Sequence, residues 1–162
     1  MLSAEVAKEG GGFSQSFDHM TLMVKLDELW LVDVGFGDSF VEPLKIETST
    51  DQTQGLQAFR IKAEDKYFVV QRQYEREWKP EYRFTFQPYG YSDFEEMCLY
   101  HQTSPQSHFT QKRICSLATK DGRITLSDMR FIVTSKGVRE ERTLSDQKEY
   151  EEILRRQFGI NM

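Results

Sequence analysis

The sequence predicts an α+β fold: a barrel or sandwich of short antiparallel strands over residues 1–88, then helices mixed with hairpins over residues 89–162. Three observations predict it. Residues 1–88 carry short runs of β-forming residues divided by turn signals. Helical spacing of apolar residues begins only after Ser92 and again after Ser145. Between those helices, Asp121-Gly122 and Ser135-Lys136-Gly137 interrupt apolar runs in the manner of hairpin turns.

The elements follow in order. Met1 to Val6 reads as a strand with no polar lead-in, a start that looks cut, and Gly10-Gly11-Gly12 reads as a flexible loop. From Met20 to Leu26, apolar Met20, Leu22, Val24 and Leu26 alternate with Thr21, Met23 and Lys25, the pattern of a half-buried strand. Asp27-Glu28 supplies a turn, and Leu29 to Val32 returns as a second strand. Glu47 to Gly55 is polar and predicts a surface loop. Gln57 to Ile61, Lys66 to Arg72 and Tyr82 to Gln87 read as further strands.

Ser92 and Glu95 have the spacing of a capping box, predicting a helix over about 92–102 with Phe94, Met97, Cys98 and His101 on one stripe. Pro105 ends it. Arg113 to Thr119 and Arg123 to Leu126 predict a hairpin with Leu117 opposite Leu126. Met129 to Thr134 and Val138 to Thr143 predict two more strands. Ser145 is placed to cap a last helix with the stripe Tyr150, Ile153, Leu154 and Phe158, closed by Gly159.

At 162 residues the chain makes one domain or two small ones. A net charge of -5 argues against a nucleic-acid footprint. No apolar run reaches the roughly 18 residues that a membrane span needs, and the N-terminus lacks the basic-then-apolar order of a signal peptide. Cys98 and Cys115 form neither a CxxC pair nor a zinc pattern, so no metal is expected and a reducing cytoplasm is the default.

One hairpin carries the chemistry. His19 opens its first strand and Asp33 closes its second, 14 residues apart. A histidine oriented by an aspartate is two thirds of a nucleophile–His–Asp triad. Parity decides whether they meet. With a three-residue loop at Leu26-Asp27-Glu28, Asp33 stands opposite Thr21 and diagonal to His19, on the same face, within reach of longer side chains. A two-residue loop puts them on opposite faces. Sequence spacing leaves both open. Gly35-Phe36-Gly37, just after Asp33, marks either a close approach of backbone or a barrel corner.

Phe17-Asp18-His19-Met20, the run Leu31-Val32-Asp33-Val34-Gly35-Phe36-Gly37-Asp38-Ser39-Phe40 and Pro43-Leu44 resemble the arylamine N-acetyltransferase family. The likeness continues through Asp93 to Met97, Gln102-Thr103-Ser104-Pro105-Gln106-Ser107-His108-Phe109, Cys115-Ser116-Leu117 and Asp121-Gly122-Arg123. The resemblance implies a mostly antiparallel β-barrel over 1–88, truncated at its N-terminus, and an α/β lid over 89–162 that begins with an inter-domain helix. It implies a ping-pong transfer of acetyl from acetyl-CoA to an arylamine, arylhydroxylamine or hydrazine through a Cys–His–Asp triad. His19 would be the base and Asp33 its orienter. Phe36 and Phe109 would border the acceptor, and Gly10, Gly11, Gly12, Gln106 and His108 the CoA.

In the family the cysteine sits in an Arg-Gly-Gly-x-Cys segment of an N-terminal helical bundle, and this sequence contains no such segment. Cys98 and Cys115 read as small buried hydrophobes rather than nucleophiles. Ser14 and Ser16 lie near His19 without visible activation. The expectation is therefore a fragment that supplies His and Asp but not Cys, inactive alone, with the helical region as a possible separate partner. The alternatives are a non-catalytic remnant that binds CoA or a partner, and a different enzyme that uses Cys98 or Cys115. The uninterrupted stretch from barrel to lid resembles bacterial members.

Overall fold

The computed structural model describes residues 1–47 and 50–162. They form two compact units, Met1–Met97 and Cys98–Met162.

Among the described residues, the first unit is built on one eight-stranded sheet: β1 (Leu2–Val6), β2 (His19–Lys25), β3 (Leu29–Val32), β4 (Leu44–Lys45), β5 (Gln52–Gln54), β6 (Gln57–Glu64), β7 (Tyr67–Tyr74) and β8 (Glu77–Pro88). The spatial order is β4-β3-β2-β1-β8-β7-β6-β5, with antiparallel neighbours throughout. The sheet curls into a nearly closed barrel around Leu2, Ala4, Leu31, Phe40, Leu44, Phe59, Val70, Tyr82 and Phe84.

Side-chain amides fasten the seam between the edge strands. The Gln52 amide donates to the Lys45 carbonyl and accepts from the Lys45 N–H, at 3.0 and 2.7 Å. Two residues on, Gln54 accepts from the N–H groups of Val41 and Glu42 and donates to the Glu42 carbonyl. Each primary amide thus replaces a missing strand partner and covers an edge that would otherwise be open. The polar stretch predicted as a surface loop therefore contains strand β5, and its Thr48 and Ser49 lie outside the described residues.

The face of β2 is the reverse of its hydropathy pattern. Thr21 is 1 % exposed, whereas Met20, Leu22 and Val24 are 41, 37 and 36 % exposed. Hydropathy alternation assigns a face only when one side of a strand is apolar; here Met23 is apolar on the inner side too, and Thr21 satisfies its hydroxyl on the Val32 carbonyl.

β8 is longer than expected, because it runs through Pro80. Val70 pairs with Tyr82 but Gln71 pairs with Pro80, so Glu81 is an extra, bulged residue. A bulge is where a strand tolerates proline.

The helix after Pro88 starts as a 3-10 turn (Tyr91–Phe94) and continues as α1 (Glu95–Thr103). The Ser92/Glu95 capping box does not form. Asp93 reaches back to the Gly90 N–H at 2.7 Å instead, because the turn begins two residues earlier.

In the second unit, β9 (Ile114–Thr119), β10 (Gly122–Ser127), β11 (Arg130–Ser135) and β12 (Val138–Thr143) form an antiparallel meander, and α2 (Gln147–Phe158) packs on it. The β9–β10 loop is Lys120-Asp121, so Leu117 pairs with Ile124, and Leu126 pairs with Cys115 rather than Leu117. Gly122 is needed for space rather than for a turn: a Cβ there would collide with the Thr134 backbone. The expected stripe of α2 is buried at Tyr150, Ile153 and Leu154, and Gly159 closes the helix at φ 70°. The cap, however, is Asp146, which accepts from the Glu149 N–H, and Ser145 bonds the Glu149 carboxylate instead.

Candidate active site

The β2–β3 loop has three residues, since Lys25 pairs with Leu29. The odd count puts His19 and Asp33 on one face. Their side chains meet with His19 Nε2 2.6 Å from Asp33 Oδ2, and the Asp33 side chain is only 2 % exposed.

The other oxygen, Asp33 Oδ1, accepts from the N–H groups of Gly35 and Phe36 at 3.0 and 3.1 Å. This Asx turn explains the Asp-x-Gly-Phe spacing. Burial by itself would raise the Asp33 pKa. The hydrogen bond and charge of His19, the Gly35 N–H and the Tyr82 hydroxyl outweigh it and hold the carboxyl below its ordinary value. Asp33 is therefore a carboxylate hydrogen-bonded to the imidazole.

Two aromatic rings complete the setting. Phe36 lies edge-on to His19 with centroids 5.0 Å apart, and Tyr82 lies 5.4 Å from His19 and 4.9 Å from Phe36. The Tyr82 hydroxyl lies 3.5 Å from Thr21 Oγ1 and interacts with the Asp33 charge. Burial and the Asp33 charge push its pKa well above the ordinary value, so it stays a neutral donor. Sequence reasoning missed Tyr82. Its only signal was an aromatic in a strand rich in aromatics, which reads as core. Gly35 passes close to the dyad, where a Cβ would stand 3.7 Å from His19 Cε1, and Gly37 takes φ 70°. The two glycines thus do different work, close approach at one and a left-handed bend at the other.

The triple glycine is the tip of a small hairpin. Ala7 bridges to Phe13, the Lys8 N–H donates to the Gly12 carbonyl, and the Gly11 N–H is spent on the Lys8 carbonyl. Ser14 and Ser16 have structural partners: Ser14 Oγ accepts from the Val6 N–H, and Ser16 donates to Glu5.

Gln106, His108 and Phe109 belong to the second unit. Buried Ser107 organises their turn: its hydroxyl bonds the His101 carbonyl and accepts from the Phe109 N–H. The Ser104 carbonyl takes the Ser107 N–H and the Thr110 hydroxyl. The serines of the Thr-Ser-Pro-x-Ser-x-Phe segment are thus its internal ties. They leave Gln106, His108 and Phe109 exposed, with Phe109 against the His101 and His108 rings.

The cysteines differ from expectation. Cys98 is exposed on α1 and accepts from Gln102, and Cys115 is half-buried on β9. Leu126, not Cys115, takes the central core position of that sheet. Burial pushes the Cys115 thiol up, the opposite of thiolate activation. Among the described residues, no cluster of His, Cys, Asp and Glu is arranged to hold a metal ion, and no helix is long and apolar enough to cross a membrane.

Comparison with known proteins accords with this geometry. The N-acetyltransferase family model matches residues 1–162. Arylamine N-acetyltransferase 1 of Homo sapiens is 32% identical, over 93% of this chain and 60% of its own length. Proansamycin X synthase of Amycolatopsis mediterranei is 30% identical, over 96% of this chain and 62% of its own. The structure of Mycobacterium marinum arylamine N-acetyltransferase in complex with CoA superposes with TM-score 0.86 at 27% identity, covering 99% of this chain and 61% of that one. The chain thus spans about three fifths of the length of these relatives. With the whole sequence matched by the family and the barrel matched by its solved structures, the chain belongs to the arylamine N-acetyltransferase family.

Proposed function

We propose that this chain supplies the His–Asp half of a Cys–His–Asp acyl-transfer site. The observation that carries the reading is the His19–Asp33 bond, with the second Asp33 oxygen locked by the Gly35 and Phe36 amides. An imidazole oriented in this way accepts a thiol proton. The thiolate attacks the acetyl carbonyl of acetyl-CoA, the CoA sulfur leaves with the proton returned by His19, and a cysteine thioester remains. An arylamine, arylhydroxylamine or hydrazine nitrogen then attacks the thioester, its proton passes to His19, and the cysteine is regenerated.

In this reading Phe36 and Phe109 line the acceptor side. Gly10, Gly11, Gly12, Gln106 and His108 border the CoA. The bond spent by Gly11 within its hairpin leaves fewer amides for a phosphate than three glycines suggest. The nucleophile comes from sequence outside these 162 residues, because neither Cys98 nor Cys115 has an activating partner. A reducing cytoplasm suits the two free thiols.

Incubating the 162-residue chain with acetyl-CoA and an aniline, and following CoA release with a thiol reagent, is expected to show no turnover. Extending the reading frame upstream of Met1 is expected to add an Arg-Gly-Gly-x-Cys segment and give turnover that His19→Ala abolishes. Turnover by the chain as it stands, lost in Cys98→Ala or Cys115→Ala, would overturn the assignment of the nucleophile. An extended protein that binds CoA without turning it over would leave a binding remnant.

A further inference from the structure

We propose that Glu81 is a positioning residue: with Arg72 it clamps the far end of the Asp33–Phe40 segment and so sets where Phe36 stands against His19. The functional weight of this rests on Phe36 lining the acceptor side.

The segment is fixed at both ends. At its start, Asp33 holds the Gly35 and Phe36 amides. At its end, Phe40 is buried against Phe59, with centroids 5.9 Å apart. Just before Phe40, the Ser39 hydroxyl donates to Glu81 Oε2 at 2.5 Å, and Arg72 Nη1 donates to the Asp38 carbonyl at 2.5 Å. The same guanidinium nitrogen lies 3.8 Å from Glu81 Oε1 and 3.7 Å from Asp38 Oδ2.

The chemistry of the clamp is not that of a stability device. Glu81 and Arg72 are each 8 % exposed. Removing two charges from water costs more than their attraction returns unless the geometry is ideal, and apolar residues of similar size often serve stability better. Burial here outweighs the Ser39 bond and the Arg72 charge and raises the Glu81 pKa, so the site is costly for a carboxylate. What a carboxylate can do and an isoleucine cannot is accept the Ser39 hydroxyl in a fixed direction. The bulge in β8 aims it there. The next residue, Tyr82, is the ring against which Phe36 packs. Two adjacent residues of β8 thus hold one loop, Glu81 by its carboxylate and Tyr82 by its aromatic ring.

The test uses the isotope-labelled chain and nuclear Overhauser contacts from the Phe36 ring to the Tyr82 and His19 rings. Ser39→Ala and Glu81→Ala are expected to lose these contacts. Ser39→Thr and Glu81→Gln, which keep the hydroxyl donor and an acceptor oxygen, are expected to retain them, with the signals of β6 and of the second unit unmoved in all four. A purely structural role would not give rescue by these variants. p-Toluidine is the acceptor probe: it is expected to shift the Phe36 ring signals of the parent chain and to bind about fivefold more weakly to Ser39→Ala, the worth of one hydrogen bond. Contacts that persist in Ser39→Ala overturn the clamp, and that variant decides the matter if Glu81→Ala does not fold. No p-toluidine shift in the parent chain overturns the acceptor role of Phe36, while the ring contacts still decide the clamp.

Discussion

Tyr82 sets its ring 5.4 Å from His19, beside the Asp33 carboxylate that His19 holds at 2.6 Å. The dyad thus has a third member, which comes from β8 rather than from the β2–β3 hairpin. Tyr82→Phe removes a donor to a buried carboxylate. It should raise the Asp33 pKa toward the ordinary value and lower stability by about 1–3 kcal/mol. Carboxyl-carbon titration by NMR and urea unfolding check the two parts. An unmoved Asp33 titration would show that His19 and the backbone amides suffice.

Gln52 and Gln54 fasten the seam of the barrel. Gln54→Ala removes the partners of the Val41 and Glu42 amides and of the Glu42 carbonyl. These bonds are solvent-exposed, so the global loss should be only about 1 kcal/mol. Amide exchange at Val41 and Glu42 should rise far more than exchange in the unbroken β6–β7 ladder. Uniform loosening across both sites would contradict a local seam.

Gly122→Ala should destabilise the second unit by at least about 1–3 kcal/mol, because the added methyl meets the Thr134 backbone rather than a movable side chain. Gly10→Ala, where a Cβ meets nothing within 4 Å, is the control and should be near neutral. Thermal melts of both variants make the comparison, and equal melting temperatures would refute the steric argument.

Acid should act on the second unit through Glu149. Its carboxyl accepts from the Ser145 backbone N–H, from Arg142 and from the Ser145 hydroxyl, which lowers its pKa from 4.5 to about 2. A group whose folded pKa is depressed contributes stability above its unfolded pKa and loses it as pH falls through the folded one. The contribution should be complete above about pH 4.5 and gone near pH 2. Glu149→Gln should therefore melt below the parent at pH 7 and converge with it in acid. A constant difference down to pH 2 would exclude this linkage.

The outward stripe of β2 predicts behaviour in solution. Replacing Met20, Leu22 and Val24 by threonine should leave stability within about 0.5 kcal/mol, as for most surface changes. It should also reduce binding of an apolar dye and self-association, since these side chains are already exposed. A loss of stability comparable to a core deletion would mean that the strand packs the other way round.

Much of this protein was legible in local sequence. Hairpins and the final helix with its Gly159 stop depend on residues a few positions apart, and short-range sterics and hydrogen bonds specify them. The family likeness named His19 and Asp33 as a pair. What sequence left open was decided by long-range pairing. The odd β2–β3 loop put His19 and Asp33 on one face. The barrel chose Thr21 over Leu22 for its interior, because the curvature of neighbouring strands, not the hydropathy of one, determines which face is inside. Tyr82 meets Thr21 across 61 positions of the chain, and Glu81 meets Ser39 across 42. No window of local sequence contains both partners of such contacts, so only the closed barrel could bring them to the dyad.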